Sequence, residues 1–360
     1  MVSRVDFSAD TVCISGTYGC GKSKRVCDYL LNKNSESLLV VCYRISQGLD
    51  FTGKLYANQV PITFYSGHTN SFVAAHKNRL VISTQSLQKI CPLMTYDTVV
   101  IDEATSLLID ASISPLVSRC NMDILFHIIA NCKKLVLMDV NLTDATMSVV
   151  SHLRQLPRAS MSVQRVRHSC SKEIVFEGNR AVFISALLED LCMGRNVVFC
   201  SDSRKCILQV ADMVPDKVKK RIYTNGHPYA EDLQNVDDVW TNFQFIAYSP
   251  SITTATSFTR SHFHTVYGLF TYTSLTAREF AQQLHRVRNV SDNQIIVHST
   301  AAPKSYLRNL AQVDTVFDPA VAALVPSTSL CSQLQESHNK EVHATYQQFE
   351  RQLLESLERV

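Results

Sequence analysis

The twelve cysteines of this 360-residue chain include no C-x-x-C pair, the spacing typical of zinc sites and redox motifs. Several of them, including Cys13, Cys42 and Cys200, lie inside apolar runs. A zinc site or a disulfide framework is therefore not expected. The pattern favours buried thiols in a reducing compartment.

Long apolar runs are also missing. None reaches the roughly 20 residues that cross a membrane, and the N-terminus, which carries Asp6 and Asp10, has no signal-peptide core. The formal net charge of +3 permits a polyanionic partner without requiring one. With 46% hydrophobic residues, the chain is long enough for two domains. We expect a soluble, intracellular protein.

Glycine is scarce, with 10 residues in 360, so an accidental glycine-rich motif is improbable. Residues 16–23 nevertheless match G-x-x-x-x-G-K-[ST] without a mismatch, after the apolar run 12–14 and before a helical stretch. In such a P-loop, backbone N–H groups and the lysine bind phosphate oxygens, and the Ser hydroxyl binds Mg²⁺. The sequence therefore predicts an ATP site formed by Gly16, Thr17, Tyr18, Gly19, Cys20, Gly21, Lys22 and Ser23.

Two adjacent carboxylates, Asp102 and Glu103, follow the short β-branched run 98–101. In a P-loop ATPase, one such carboxylate holds Mg²⁺ and the next orients the attacking water. We therefore expect Asp102 to share Mg²⁺ with Ser23, and Glu103 to act on water. The alternative is that the pair only caps the next helix.

A further apolar run, 135–138, ends in Asp139, and Thr143 follows four residues later. These two side chains could couple hydrolysis to a conformational change. A loop Asp and a helix-capping Thr would explain them equally well.

The second half repeats the alternation of strands and helices without a second P-loop, so it is not expected to bind nucleotide by itself. The polar, aperiodic stretch near 154–172 predicts a connection between domains. We expect a first domain at 1–155, a linker at 156–172, a second domain at 173–300 and a C-terminal extension at 301–360.

Residues 276–289 predict a helix that begins with a capping box, formed by Thr276 and Glu279. Gln282 and Arg286 are four residues apart and would share a face of it, whereas Arg288 would not. A solvated basic face is one interpretation. The other is that an arginine reaches the γ-phosphate and stabilises charge in the transition state.

Together these motifs resemble those of the superfamily 2 helicases, and in particular the viral origin-of-replication-binding helicases of the herpesvirus type. Residues 248–258 are similar to motif V of that family, 282–289 to motif VI, 40–44 to motif Ia and 83–87 to motif Ib. The sequence departs from the family at Ala255 and His285, where glycine is usual. Arg288 also comes one residue earlier than the second arginine of motif VI.

The resemblance implies an α/β protein with two RecA-like P-loop NTPase-type domains, mostly parallel sheets and a helical C-terminal tail. It implies an ATP- and Mg²⁺-dependent DNA helicase of the replication origin-binding type, acting in the nucleus or at a viral replication site. Catalytic residues would be Lys22, Glu103, Arg286 and Arg288, and coupling residues Asp139, Thr143 and Gln282. Nucleic acid would contact Arg44, Thr84, Gln85, Ser203 and Thr253.

Three alternatives stay open from the sequence. A terminase-type packaging motor would need a nuclease domain with a carboxylate cluster. A degenerate DNA-binding protein could keep the fold without the chemistry, and a small-molecule kinase would leave the second domain without a task.

The last 22 residues, 339–360, contain no glycine or proline and carry one apolar stripe. This pattern predicts an amphipathic helix that either packs on the second domain or binds a partner, in a homodimer or with a replication protein. The stripe comprises Val342, Tyr346, Phe349, Leu353, Leu357 and Val360.

Overall fold

The computed structural model describes most of the chain and divides it into two compact units, the first through His168 and the second from Ser169. Each of the two units also includes part of the C-terminal segment. The described residues are 5–16, 20–33, 36–43, 45–65, 78–113, 119–140, 142–166, 172–225, 229–250, 256–300, 330, 333–342, 345, 348, 349, 351 and 353.

The first unit contains a seven-stranded sheet in the order β3-β4-β2-β5-β6-β1-β7, and every neighbouring pair is parallel. Because parallel strands need crossover connections, helices cover both faces. The strands are β1 (Thr11–Gly16), β2 (Leu38–Cys42), β3 (Thr63–Phe64), β4 (Arg79–Ser83), β5 (Thr98–Asp102), β6 (Lys134–Asp139) and β7 (Ser162–Val166). The helices are α1 (Lys22–Leu31), α2 (Ile45–Ala57), α3 (Ala104–Ile113), α4 (Arg119–Asn131) and α5 (Asp144–Arg154), with 3₁₀ turns at Thr84–Lys89 and Arg158–Ser160.

Successive residues of the central strands enter two different hydrophobic cores, one on each face of this sheet. In β2, Leu39 and Val41 lie in one core, whereas Leu38 and Val40 lie in the other. All are buried, which explains why these strands are short, continuous apolar runs and not alternating patterns.

The second unit contains a six-stranded sheet, also with every neighbouring pair parallel, in the order β10-β11-β9-β12-β13-β8. The mixed α/β architecture with two parallel sheets confirms the predicted fold class. The strands of the second unit are β8 (Glu173–Phe176), β9 (Val197–Ser201), β10 (Lys220–Tyr223), β11 (Phe245–Tyr248), β12 (Phe263–Phe270) and β13 (Val290–Ser299). Its helices are α6 (Arg180–Cys192), α7 (Arg204–Met213), α8 (Val236–Trp240) and α9 (Ala277–Leu284), with a 3₁₀ turn at Ala230–Gln234.

The linker predicted at 156–172 is wrong in its first part. Residues Ser162–Val166 form β7, which pairs with β1 at the edge of the first sheet. Val163 and Arg165 are exposed, as is usual in an edge strand, and three of its five residues, Ser162, Gln164 and Arg165, are polar, which gave the stretch the composition of a connection.

The C-terminal segment is helical at Leu330 and at Gln333–Val342, so the helix begins before the predicted residue 339. Leu330 and Leu334 lie in a core of the first unit, and Phe349 and Leu353 lie in a core of the second. Of the predicted stripe, Phe349 and Leu353 therefore pack within this chain, while Tyr346, Leu357 and Val360 are outside the described side chains. No helix among the described residues is both long and apolar enough to span a bilayer.

Candidate functional sites

The predicted P-loop connects β1 directly to α1, and its last glycine has a left-handed backbone. Gly21 is the N-cap of α1, with φ +80°. Only glycine adopts this conformation without cost, and a Cβ there would lie 3.0 Å from Nη1 of Arg25. Thr17, Tyr18 and Gly19 lie outside the described residues.

Gly16, at the end of β1, is held against the edge strand β7. A Cβ at this position would lie 2.4 Å from the carbonyl oxygen of Val166 and 2.9 Å from Sγ of Cys20. The backbone could not follow its present path with any larger residue, so close packing accounts for this glycine independently of any ligand.

Lys22 and Ser23 occupy the first turn of α1, where backbone N–H groups have no partner within the helix. Nζ of Lys22 donates a hydrogen bond to the carbonyl oxygen of Gly16, so the side chain folds back over the loop. The N–H groups, the helix dipole and the ammonium group together favour an anion at this position.

Asp102 and Glu103 lie at the carboxyl end of β5, which is separated from β1 by β6 alone. Oδ1 of Asp102 accepts the backbone N–H of Glu103 at 3.1 Å, and Glu103 has a left-handed φ of +54°. Burial raises the pKa of Asp102, while the charges of Lys22 and Lys54 and a hydrogen bond from Gln47 oppose that shift. A cation bound here would stabilise the charged carboxylate.

Asp139 ends β6, the strand between β1 and β5, opposite Ser15. Its side chain is buried, and Oδ2 accepts the backbone N–H of Thr105 at 2.8 Å. This places the predicted coupling carboxylate in contact with the segment that follows Glu103.

Thr143 also connects to that segment, through a chain of hydroxyl groups. It caps α5 by accepting the N–H of Thr146 at 3.2 Å, and the two hydroxyls are 2.9 Å apart. Oγ1 of Thr146 donates to Oγ1 of Thr105 at 3.3 Å. Sequence reasoning missed Thr105 and Thr146. The only signal in the sequence was their position. Thr105 lies two residues after Glu103, and Thr146 lies three residues after the capping Thr143.

The nucleic-acid contacts predicted in the first unit differ in what the structure describes of them. Arg44 lies outside the described residues. Thr84 is fully buried and its hydroxyl donates to the carbonyl oxygen of Cys42 at 3.2 Å, so its side chain is not exposed for the predicted contact with nucleic acid. Gln85 is exposed, and its carbonyl oxygen accepts Nδ2 of the buried Asn121 at 3.0 Å.

In the second unit, Ser203 is half-buried and caps α7, accepting the N–H of Cys206 at 3.5 Å. The adjacent Asp202 was missed from the sequence. It is buried and accepts the N–H groups of Thr271 and Thr273, each at 2.7 Å. Burial raises its pKa and these hydrogen bonds lower it. Thr253, with Ala255, lies outside the described residues.

The helix α9 begins with the predicted capping box but ends at Leu284, before both arginines. The prediction that Arg286 shares a helix face with Gln282 is therefore wrong. Gln282, within the helix, is half-buried. The chain instead runs beside residues 256–258. The N–H of Phe258 donates to the carbonyl of Arg286, and the N–H of Arg288 donates to the carbonyl of Phe258, both at 2.8 Å.

Both arginine side chains contact the end of the motif V segment. Arg286 is 5% exposed, and its Nη1 donates to the carbonyl oxygen of Thr256 at 3.1 Å. Arg288 is half-buried, and its Nε donates to Oγ of Ser257 at 2.9 Å. Motifs V and VI are thus joined by backbone and side-chain hydrogen bonds.

His285, where the family usually has glycine, follows the last turn of α9. It is buried, and Nδ1 lies 3.1 Å from the carbonyl oxygen of Ala281. Burial is the largest cause that lowers its pKa, to about 3, and the positive charge of Lys172 is the second. The ring is therefore neutral at physiological pH.

Comparison with known proteins agrees with these motifs. The sequence profile of the family described as "Origin of replication binding protein" matches residues 10–163. Among curated proteins, the "Uncharacterized putative helicase R8" of Acanthamoeba polyphaga mimivirus is 22% identical over 312 residues, covering 79% of this chain and 29% of that protein. The "Putative replication origin-binding protein" of the same virus is 23% identical over 317 residues, covering 80% and 38%. The predicted resemblance is confirmed.

The chain spans about a third of the length of these relatives. Solved structures share the fold. S. cerevisiae Dbp5 bound to RNA and ADP BeF3 has a TM-score of 0.58 at 12% identity, covering 86% of this chain and 84% of that one. The DUF1998 helicase MrfA bound to DNA has a TM-score of 0.56 at 10% identity, covering 91% and 50%. The chain therefore shares the fold of these two structures.

Proposed function

We propose that this chain is an ATP-dependent nucleic-acid motor, a DNA helicase of the replication origin-binding type that couples ATP hydrolysis to strand translocation or unwinding. The observation that carries the proposal is geometric: Lys22 begins α1, the helix that comes after β1, and Asp102 ends β5, which only β6 separates from β1. The charge of Lys22 also lowers the pKa of Asp102. Those two positions follow parallel strands of one sheet, and the carboxyl edge of such a sheet is where ligands bind.

In this proposal the loop from Gly16 to Gly21 surrounds the phosphates with backbone N–H groups, and Lys22 neutralises the β- and γ-phosphates. The hydroxyl of Ser23 and the carboxylate of Asp102 would hold Mg²⁺, since both supply the oxygen ligands that this ion prefers. Bound Mg²⁺ would neutralise phosphate charge. Glu103 orients the attacking water, and its backbone N–H holds the carboxylate of Asp102 through a hydrogen bond to Oδ1.

The remaining residues connect hydrolysis to the strand. Asp139 accepts the backbone N–H of Thr105, and Thr143 connects to Thr105 through the hydroxyl of Thr146, so a change at the γ-phosphate reaches α3 and α5. Arg286 or Arg288 of the second unit supplies the cation that stabilises the transition state. Their hydrogen bonds to Thr256 and Ser257 tie that arginine to motif V.

DNA is the proposed polymer, and the proposed location is a viral replication site or the nucleus. The family description and the mimivirus relatives support replication. The ADP BeF3 and RNA bound to Dbp5 and the DNA bound to MrfA support ATP and a strand. Proposed strand contacts are Arg44, Gln85, Ser203 and Thr253.

The decisive experiment is the ATPase rate of the purified chain alone, with single-stranded DNA and with RNA of the same length. We expect Mg²⁺-dependent turnover that single-stranded DNA raises several-fold above both other conditions. A rate indifferent to nucleic acid would contradict the motor, and equal stimulation by RNA would contradict the choice of DNA.

A further inference from the structure

The 3₁₀ turn at Thr84–Lys89 presents two exposed amides on one face. It follows β4 directly, at the carboxyl edge of the first sheet, which is the edge where open α/β sheets bind ligands. Thr84 and Leu87 are buried, whereas Gln85 and Gln88 are exposed. Because residues three apart eclipse each other in a 3₁₀ helix, these two glutamines share a face. We call Gln85 and Gln88 the amide face.

A buried asparagine on α4 holds the backbone of both glutamines. Asn121 is 1% exposed, and a buried amide costs free energy unless it finds hydrogen-bond partners. Its Oδ1 accepts the backbone N–H of Gln88 at 2.8 Å, and its Nδ2 donates to the backbone carbonyl oxygen of Gln85 at 3.0 Å. One side chain therefore fixes both residues of the amide face.

The length of the turn explains why such support is needed. It has six residues, whereas 3₁₀ runs of more than about four are uncommon because their hydrogen-bond geometry is poor. The carbonyl of Gln85 and the N–H of Gln88 are three residues apart and so belong to one turn of this helix. Without Asn121 that turn could relax, and the two side chains would no longer share a face.

Two neighbouring amides suit the sugar–phosphate backbone of a nucleic-acid strand. The NH₂ group of a glutamine donates to phosphate oxygens, and such contacts fix the position of a strand without reading its bases. A neutral amide also differs from lysine and arginine, because it does not neutralise a phosphate and releases no counterion.

We propose that Gln88 joins Gln85 in contacting the phosphates of the strand, and that Asn121 is a positioning residue that holds the amide face for this contact. The inference rests on the proposed function. It adds one residue that lies just beyond the segment similar to motif Ib, and one on a helix that contains none of the motifs.

The contact of Gln88 is tested by the binding of a fluorescein-labelled oligothymidylate to the full chain at several salt concentrations. We expect Gln88→Ala to raise the dissociation constant about threefold or more, as for the loss of one hydrogen bond. The slope of its logarithm against that of the salt concentration should not change, because no cation is removed. Gln209→Ala, at an exposed position in the middle of α7, is the matched control and should bind as the wild type does.

The role of Asn121 is tested by a double-mutant cycle. Asn121→Leu keeps a similar volume and removes both hydrogen bonds, so it should weaken binding of the oligothymidylate about threefold or more. Added to a protein that carries Gln85→Ala and Gln88→Ala, it should weaken binding no further, because Asn121 acts on the strand through the amide face. A merely structural role would weaken binding by the same factor in both backgrounds.

Circular dichroism checks that each variant is folded. Should Asn121→Leu not fold, Asn121→Asp replaces it in the cycle with the same expectation. This variant keeps the shape and the acceptor for Gln88 but sets an oxygen against the carbonyl of Gln85.

Each outcome decides between the proposals. If Gln88→Ala binds as tightly as the wild type, or with a changed salt slope, its contact is overturned while the motor stands. If the Asn121 variant weakens binding equally with and without the amide face, its positioning role is overturned. If the wild type binds no oligothymidylate and single-stranded DNA does not raise its ATPase rate, the motor and the inference fail together.

Discussion

The backbone N–H of Thr105 donates a hydrogen bond to Oδ2 of Asp139 at 2.8 Å, joining the segment that follows β5 to the end of the neighbouring strand β6. Both residues are buried. The contact links the residues just after the Asp102–Glu103 pair to the strand beside the P-loop, so it has consequences for both stability and turnover.

Replacing Asp139 should therefore destabilise the first unit. Asp139→Ala leaves the buried N–H of Thr105 without this acceptor, which costs about 1–3 kcal/mol in the free energy of unfolding. Urea unfolding followed by far-ultraviolet circular dichroism measures the loss. Asp144→Ala is the control, because that side chain is exposed in its ion pair with Arg158 and should change stability by only about 0.5 kcal/mol. Equal midpoints for the two variants would contradict the buried contact.

Glycine at the end of β1 should be irreplaceable. Gly16→Ala forces a methyl group against the carbonyl oxygen of Val166, so we expect a loss of about 1–3 kcal/mol and weaker nucleotide binding. Gly53→Ala, whose Cβ would meet nothing within 4 Å in the middle of α2, should instead gain up to about 1 kcal/mol from helix propensity. Urea unfolding and titration with a fluorescent ATP analogue measure both effects. A Gly16→Ala protein as stable as Gly53→Ala would refute the close approach of β1 and β7.

The buried His285 should make the second unit sensitive to acid. Its folded pKa of about 3 lies below the ordinary unfolded value, so the unfolded state binds a proton first as pH falls. This contribution to stability is complete above about pH 6.5 and is lost as pH falls towards 3, amounting to about 2 kcal/mol between pH 7 and pH 5.

Trp240, the sole tryptophan, is buried in the second unit and reports its unfolding by fluorescence. The free energy of unfolding of His285→Gln should fall less between pH 7 and pH 5 than that of the wild type. The comparison cancels the opposite contribution of Asp202, whose pKa is raised in both proteins. Parallel pH profiles would show that His285 is not buried in its neutral form.

The C-terminal helix should stabilise the second unit from within the same chain. Phe349 is buried and stacks on Phe270 with ring centroids 3.9 Å apart. Phe349→Ala should cost about 3–5 kcal/mol, measured by the fluorescence of Trp240 in the same core. Gln348→Ala, at an exposed neighbouring position, is the control and should have little effect. Loss of stability that depends on protein concentration would instead indicate that Phe349 serves an interface between copies.

Local patterns predicted the positions of the P-loop and of Asp102 because a short β-branched run bounded by polar residues can form few structures other than a buried strand. The same reasoning located the capping box, since the side chain of each of Thr276 and Glu279 accepts the backbone N–H of the other. These features depend on residues close together in the sequence.

The errors arose where contacts between residues far apart in the sequence determine the local structure. The end of α9 at Leu284 is set by pairing between Phe258 and Val287, which no local pattern of residues 276–289 contains. The strand β7 resembled a linker because only its contact with β1 makes it a strand.

The central claim is that Lys22 binds the phosphates of ATP, and one measurement tests it most directly. The DNA-stimulated ATPase rate of Lys22→Ala is compared with that of Lys24→Ala, which removes an exposed lysine two residues further along α1. We expect Lys22→Ala to lose ATPase activity while remaining folded by circular dichroism, and Lys24→Ala to match the wild type. Retained turnover in a folded Lys22→Ala protein would contradict the account.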